Sequence, residues 1–207
     1  MARYFCIKHC LWTLSLFLFS CASDTSFHSL LPADCQLREG DVVFRRGGGF
    51  TSHVVLAADV DGNYSHLGIV VDSAGVKMIV HAVPGEHDFE GDVDRVKMDL
   101  PDRFFSTEYA IVGEVCRPRD AVIARRAAEV AVRLYRKGVL FDHSYDDTDT
   151  TKMYCTELVV YAFRQAGCDL VGKERHLVDL PIVKASCIFP SDVYSSSFLK
   201  SIYMFNK

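Results

Sequence analysis

Apolar positions along the chain follow two periods, and each predicts its own elements. From Cys155 onward, Leu158, Val159, Ala162, Phe163 and Ala166 recur at helical spacing, and Gly167 supplies a C-terminal stop. A second helix follows Asp120, a good N-cap. There Ile123, Ala127, Val130, Ala131, Leu134 and Tyr135 form an apolar stripe that Arg125, Arg126, Glu129, Arg133 and Arg136 largely avoid, and Gly138 ends it. A run from His66 to Asp72 reads as a strand, and Ser73-Ala74-Gly75 turns the chain. Val76 to Val83 reads as the returning strand. Tyr109 to Val115 predicts another strand, and Thr51-Ser52 predicts the cap of a short helix from His53 to Ala58, after the turn Gly47-Gly48-Gly49. The pattern predicts an α+β fold. A small antiparallel sheet, starting at Asp41 and closing near Ile202-Tyr203-Met204, packs against the helices that begin at Cys155 and Asp120.

The N-terminus has a different pattern. Arg3 and Lys8 precede the apolar stretch Leu11 to Phe19, which is too short to cross a bilayer as a helix but suits the apolar core of a secretory signal. Leu18-Phe19-Ser20-Cys21 resembles a bacterial lipobox, so residues 1–20 are expected to be a lipoprotein signal peptide and Cys21 the lipidated residue. Residues 21–36, enriched in Ser, Thr, Asp and Pro, are expected to be a tether, and residues 37–207 a single catalytic domain. The expected location is the bacterial cell envelope, lipid-anchored on the periplasmic side or at the outer membrane.

Without Arg3 and Lys8, 21 basic residues face 27 acidic ones, a net charge of −6, and no basic stripe argues for nucleic acid. Apart from Cys21 and the nucleophile candidate, Cys35, Cys116, Cys168 and Cys187 are compatible with disulfides or with four free thiols. Among the 8 His and 8 Cys there is no CxxC, HxH or HExxH spacing, so neither a metal nor another cofactor is expected.

Cys155 carries the candidate chemistry. It falls in the first turn of its helix, where the partial positive charge of the N-terminus favours the thiolate, the nucleophilic form. A cysteine nucleophile needs a base within reach and a third polar group to orient that base. His66 and His81, fifteen positions apart on adjacent antiparallel strands, provide the residue types. On this reading the Cys155 pKa should fall below the roughly 8.5 of a free cysteine. Tyr64 and Tyr154 flank the catalytic candidates, and either hydroxyl could line the site or support an oxyanion.

Taken in order, Asp41-Val42-Val43-Phe44, Tyr64-Ser65-His66-Leu67-Gly68-Ile69-Val70 and Tyr154-Cys155-Thr156-Glu157-Leu158-Val159 resemble the permuted papain-fold proteins of the NlpC/P60 superfamily, in particular the YiiX/YebB-like group. The resemblance runs from about Leu37 to the C-terminus and includes Phe189-Pro190-Ser191-Asp192. It implies a cysteine peptidase or amidase with Cys155 as nucleophile, His66 as general base and acid, and His81 at the third position, where many members carry Glu. It also implies that the Phe141 to Asp147 connection borders the groove, making Phe141, Asp142 and Tyr145 substrate contacts. The implied partners are peptide or amide substrates, including peptidoglycan fragments. Two alternatives differ in class. One is a lipid acyl hydrolase or acyltransferase of the lecithin:retinol-acyltransferase-like type, whose Asn-Cys-Glu-His segment is unlike Tyr154-Cys155-Thr156-Glu157. The other is a non-enzymatic envelope binding module.

Overall fold

A computed structural model of the chain describes residues 27–146, 149–173, 175–180 and 183–207. The expected signal peptide and Cys21 lie outside these residues. In chain order the elements are β1 (Val42–Arg46), α1 (Phe50–Ala58), β2 (His66–Ser73), β3 (Val76–Ala82), β4 (Val96–Asp99), α2 (Pro101–Phe104), β5 (Val112–Pro118), α3 (Ala121–Lys137), β6 (Leu140–Phe141), β7 (Lys152–Met153), α4 (Cys155–Gln165), β8 (His176–Leu180), β9 (Val183–Cys187), α5 (Pro190–Tyr194) and β10 (Leu199–Asn206). Six of the strands form one sheet in the spatial order β10-β5-β1-β2-β3-β4, with every neighbouring pair antiparallel. The molecule is α+β.

The two faces of the sheet bury different things. On one side Val42, Phe44, Leu67, Ile69, Val80 and Ala82 meet the apolar stripes of α3 and α4, including Ala127, Ala131, Leu158, Val159 and Phe163. Burying each of the Val, Leu, Ile and Phe side chains among them contributes about 1.5–3 kcal/mol, which is why these two helices are fixed to the sheet. Asp120 caps α3 by accepting from the amides of Val122 and Ile123, and Gly138 closes that helix in the left-handed conformation. On the other side Val43, Val70, Ile79 and Val115 pack with Phe104 and Phe105, covered in part by Leu31, Cys35 and Leu37. The described part of the expected tether is therefore attached to the body, and the Leu30 amide donates to the Phe105 carbonyl. Gly40 has φ +86 and would carry a Cβ only 2.4 Å from the Ala124 backbone, so glycine there lets the chain enter β1 close beneath α3.

Three expectations about elements need correction. Helix α1 begins at Phe50 with Gly49 as N-cap and has no side-chain cap. The Ser52 hydroxyl instead accepts from Ser65 at 3.0 Å, stitching α1 to the start of β2. The strand expected from Tyr109 starts at Val112, because the amides of Tyr109 and Ala110 close a turn onto Ser106. The sheet also has a further edge strand, β4, and a separate β8–β9 hairpin that the pattern does not announce. The five described cysteines, Cys35, Cys116, Cys155, Cys168 and Cys187, are all free thiols. No described helix is long and apolar enough to cross a membrane.

Candidate active site

His66 is the first residue of β2, and His81 is next to last in β3. The strands pair Ile69 with Val80, and continuing that register sets His81 opposite Gly68, two residues along from His66 on the same face. A Cβ at Gly68 would lie 2.8 Å from Ile79 Cγ2, 2.9 Å from the Val80 carbonyl oxygen and 3.1 Å from His81 Cβ. Glycine is therefore what lets the two strands close over the histidines. Their rings meet, with His66 Nε2 2.8 Å from His81 Nδ1. On its far side His81 Nε2 lies 3.0 Å from Asp99 Oδ2. Asp99 belongs to β4, where it stands two residues beyond Lys97, the residue paired with His81. Its other oxygen faces Arg103 at 3.4 Å and Lys97 at 3.6 Å. His81 is wholly buried and His66 nearly so, both against the Phe104 ring.

Arg45 completes this wall. Its guanidinium donates to the Phe104 carbonyl at 2.8 Å, lies over the Phe104 ring and pairs with Glu86. Burial pushes the His66 imidazole well below its usual pKa, and the Arg45 charge and His81 push the same way. Burial also lowers His81, against the opposing pull of the Asp99 hydrogen bond and charge. Both rings are therefore neutral near neutral pH.

Cys155 opens α4, with Tyr154 as N-cap. It shares a cleft of about 180 Å³ with His66, Arg45, Glu86, Tyr109 and Tyr145. The sulfur lies 3.7 Å from Thr156 Oγ1. Among the described residues no hydrogen bond joins the sulfur to the His66 ring. The thiol does not have the depressed pKa expected of it. Loss of water around it pushes the pKa up, and the Thr156 hydroxyl with the Leu67 and Thr156 amides offsets this only in part. Burial thus favours the uncharged form of both the thiol and the imidazole.

Of the other residues singled out by sequence, Phe141 and Tyr145 line the cleft. Asp142 does not. It is buried in its own loop, accepting from the amides of Ser144 at 2.9 Å and Asp146 at 2.6 Å, as turn-forming aspartates do. The Tyr64 hydroxyl donates to the buried Glu114, which also accepts from Tyr194 at 3.1 Å, so Tyr64 braces the core away from the cleft. The Tyr154 hydroxyl accepts from the Ile188 amide at 3.0 Å, while its ring packs on Tyr145. Sequence reasoning missed Asp99, Arg45 and Glu86. The one local signal for Asp99 is the alternation Val96-Lys97-Met98-Asp99 just before Pro101.

Two apolar hollows of about 50 and 40 Å³ adjoin the site, the smaller lined by Cys155, Tyr154, Cys187 and Ile188. The main cleft instead carries Arg45, Glu86 and Glu108 in its wall.

No protein-family model matches the sequence, and no curated protein matches it significantly. Among solved structures, the chain is similar to the crystal structure of the metalloprotein YiiX from Escherichia coli O157:H7. The TM-score is 0.67 at 17% identity, over 84% of this chain and 100% of that one. The residues here do not fit a bound metal: among those described, no group of three or more His, Cys, Asp or Glu could hold one, and the facing nitrogens of His66 and His81 are engaged with each other. What the comparison establishes is architectural: this chain has the fold of YiiX.

Proposed function

We propose that the protein is a thiol hydrolase, a cysteine peptidase or amidase of the permuted papain-like, NlpC/P60 type, acting on amide bonds through Cys155, His66 and His81. The observation that carries this reading is the 2.8 Å bond between His66 and His81 beside a cysteine at a helix N-terminus, in one cleft. Here one His66 nitrogen is held by His81, and the ring shares its cleft with a thiol, the residue types a nucleophile and its base require.

In the reaction, the His66 nitrogen not shared with His81 takes the Cys155 proton as sulfur attacks the carbonyl carbon. The tetrahedral oxyanion is met by backbone amides at the start of α4. His66 returns the proton to the departing amine, leaving a thioester. Water then gives its proton to His66, attacks the thioester and releases the acid and the thiol. Burial favours the neutral forms of both groups, so in this reading proton transfer accompanies attack.

The charged wall of Arg45, Glu86 and Glu108 favours a polar, peptide-like substrate over an acyl chain, and the hollows beside Cys155 are small. Peptidoglycan fragments are the substrates to try first, given an envelope location and lipid anchoring at Cys21. The test is incubation of the protein with peptidoglycan fragments and, separately, phospholipids, with products read by mass spectrometry. The expected result is amide cleavage that Cys155→Ala abolishes, and that His66→Ala slows by about 10²–10⁴-fold, the usual worth of a general base. Cleavage that survives Cys155→Ala would overturn the reading, and release of fatty acid from phospholipid alone would move it to the lipid class.

A further inference from the structure

We propose that Asp99 is a positioning residue that fixes the tautomers of both histidines and thereby leaves His66 Nδ1 as the proton acceptor of the site. The inference deepens the hydrolase reading and rests on it only for the use made of that acceptor.

An ionised carboxylate can only accept, so the hydrogen bond between Asp99 Oδ2 and His81 Nε2 at 3.0 Å places a proton on His81 Nε2. A neutral imidazole carries one N–H, so His81 Nδ1 must be a lone pair. That lone pair lies 2.8 Å from His66 Nε2, and the bond forms only if His66 Nε2 holds the proton. The remaining nitrogen, His66 Nδ1, is then bare. Without Asp99 the mutual bond of the two rings could run in either direction, and one direction would leave His66 with an N–H where the thiol needs an acceptor.

The charges around the row keep this arrangement in force. Burial pushes the Asp99 carboxyl up, but the hydrogen bond and charge of His81, with Lys97 and Arg103, hold it below the usual range. His81 is also in the field of Arg45 and Glu86, and His66 in that of Arg45. Burial together with Arg45 keeps both rings neutral, the condition on which the single-proton argument depends.

The same geometry says what Asp99→Asn would do. Asp99 Oδ1 faces two cations, Lys97 and Arg103, so the asparagine carbonyl oxygen would take that side and its NH₂ would face His81 Nε2. His81 would have to accept at Nε2, carry its proton on Nδ1 and donate to His66 Nε2. The proton of His66 would then move to Nδ1. One atom's change at Asp99 inverts both rings. Lys97 keeps Asp88 and the Glu86 carbonyl, and Arg103 keeps Asp88 and the His87 carbonyl, so both cations stay paired.

The experiment is long-range proton–nitrogen correlation NMR at neutral pH on protein labelled with nitrogen-15 at histidine, for the wild type and Asp99→Asn. The expected result is Nε2–H with bare Nδ1 for both His66 and His81 in the wild type, and loss of that signature in favour of Nδ1–H on both rings in Asp99→Asn. A wild-type His66 protonated at Nδ1 would overturn the proposal whether or not the variant folds. So would a folded Asp99→Asn protein whose His66 tautomer is unchanged. A merely structural role for Asp99 would alter stability without exchanging the tautomers. Because the readout is the ring proton and not turnover, it stands apart from the hydrolase reading, which is tested by product analysis with Cys155→Ala.

Discussion

His66 and His81 are held neutral in the interior, and this couples the site to the stability of the fold. Both native pKa values lie below the ordinary 6.5, His66 well below. In acid the unfolded chain therefore binds protons that the native chain does not. Their stabilising effect is complete above about pH 6.5 and declines as pH falls, at about 1.4 kcal/mol per pH unit for each ring until its native pKa is reached. Asp99, whose native pKa is lowered, acts in a separate window, below the ordinary 3.8. Urea unfolding at neutral pH and at about pH 5 should show a smaller acid loss for His66→Gln than for the wild type. Equal losses would mean that His66 is not buried in its neutral form. At this scale Cys155, His66 and His81 were legible because each sits at the start or end of a strongly periodic element. Asp99 was not, since β4 is only four residues long and sets the charged pair Lys97 and Asp99 on one buried face while Val96 and Met98 pack into the core on the other. Only the folded arrangement shows that the two charged residues are paired. The thiol expectation failed for a related reason: a helix N-terminus can be read from spacing, whereas the desolvation that outweighs it depends on what the rest of the chain packs around Cys155.

Among the elements, the β2–β3 hairpin sets the site, and it depends on Gly68 and on its turn. Ala74 and Gly75 both have positive φ, at 53° and 86°, as a tight two-residue hairpin requires. Gly68→Ala would put a methyl group against Val80 and His81 backbone and side-chain atoms, and overpacking of this kind costs about 1–3 kcal/mol. Gly48→Ala, with open space around it, should change stability by less than about 0.5 kcal/mol. Denaturant unfolding of the two variants checks the contrast, and a harmless Gly68→Ala would show that the strands can separate at no cost. Helices α3 and α4 and the β2–β3 pair were readable because burial on one face imposes a clear period. Helix α1 was misjudged at its start because Ser52 spends its hydroxyl on Ser65 in the next strand, a tertiary contact that local capping rules do not see.

For the molecule as a whole, the candidate site draws on Arg45, His66, His81, Asp99 and Cys155, from strands β1 to β4 and helix α4, so it exists only when the sheet is complete and α4 is docked. The α+β architecture and the antiparallel sheet were legible. The six-strand extent was not, because its outer member β4 is four residues long with two charged positions. The lipid anchor proposed at Cys21 bears on where this assembly works. Cys21→Ser should release the protein from the membrane fraction and remove the acyl modification, as read by fractionation and intact-mass measurement. Unchanged fractionation with an unmodified Cys21 would remove the anchor from the account.

The line from His66 through His81 to Asp99 crosses β2, β3 and β4 along the direction in which strands are tied to one another. In a sheet that spacing is about 4.7–4.9 Å and is the hardest dimension to stretch, since any change breaks ladder hydrogen bonds. The basic half of the site therefore behaves as a fixed ruler. The sulfur belongs to a helix held by side-chain packing, which yields more easily than a ladder. If the gap between thiol and imidazole must narrow before the chemistry, the helix carrying the thiol is the part that travels.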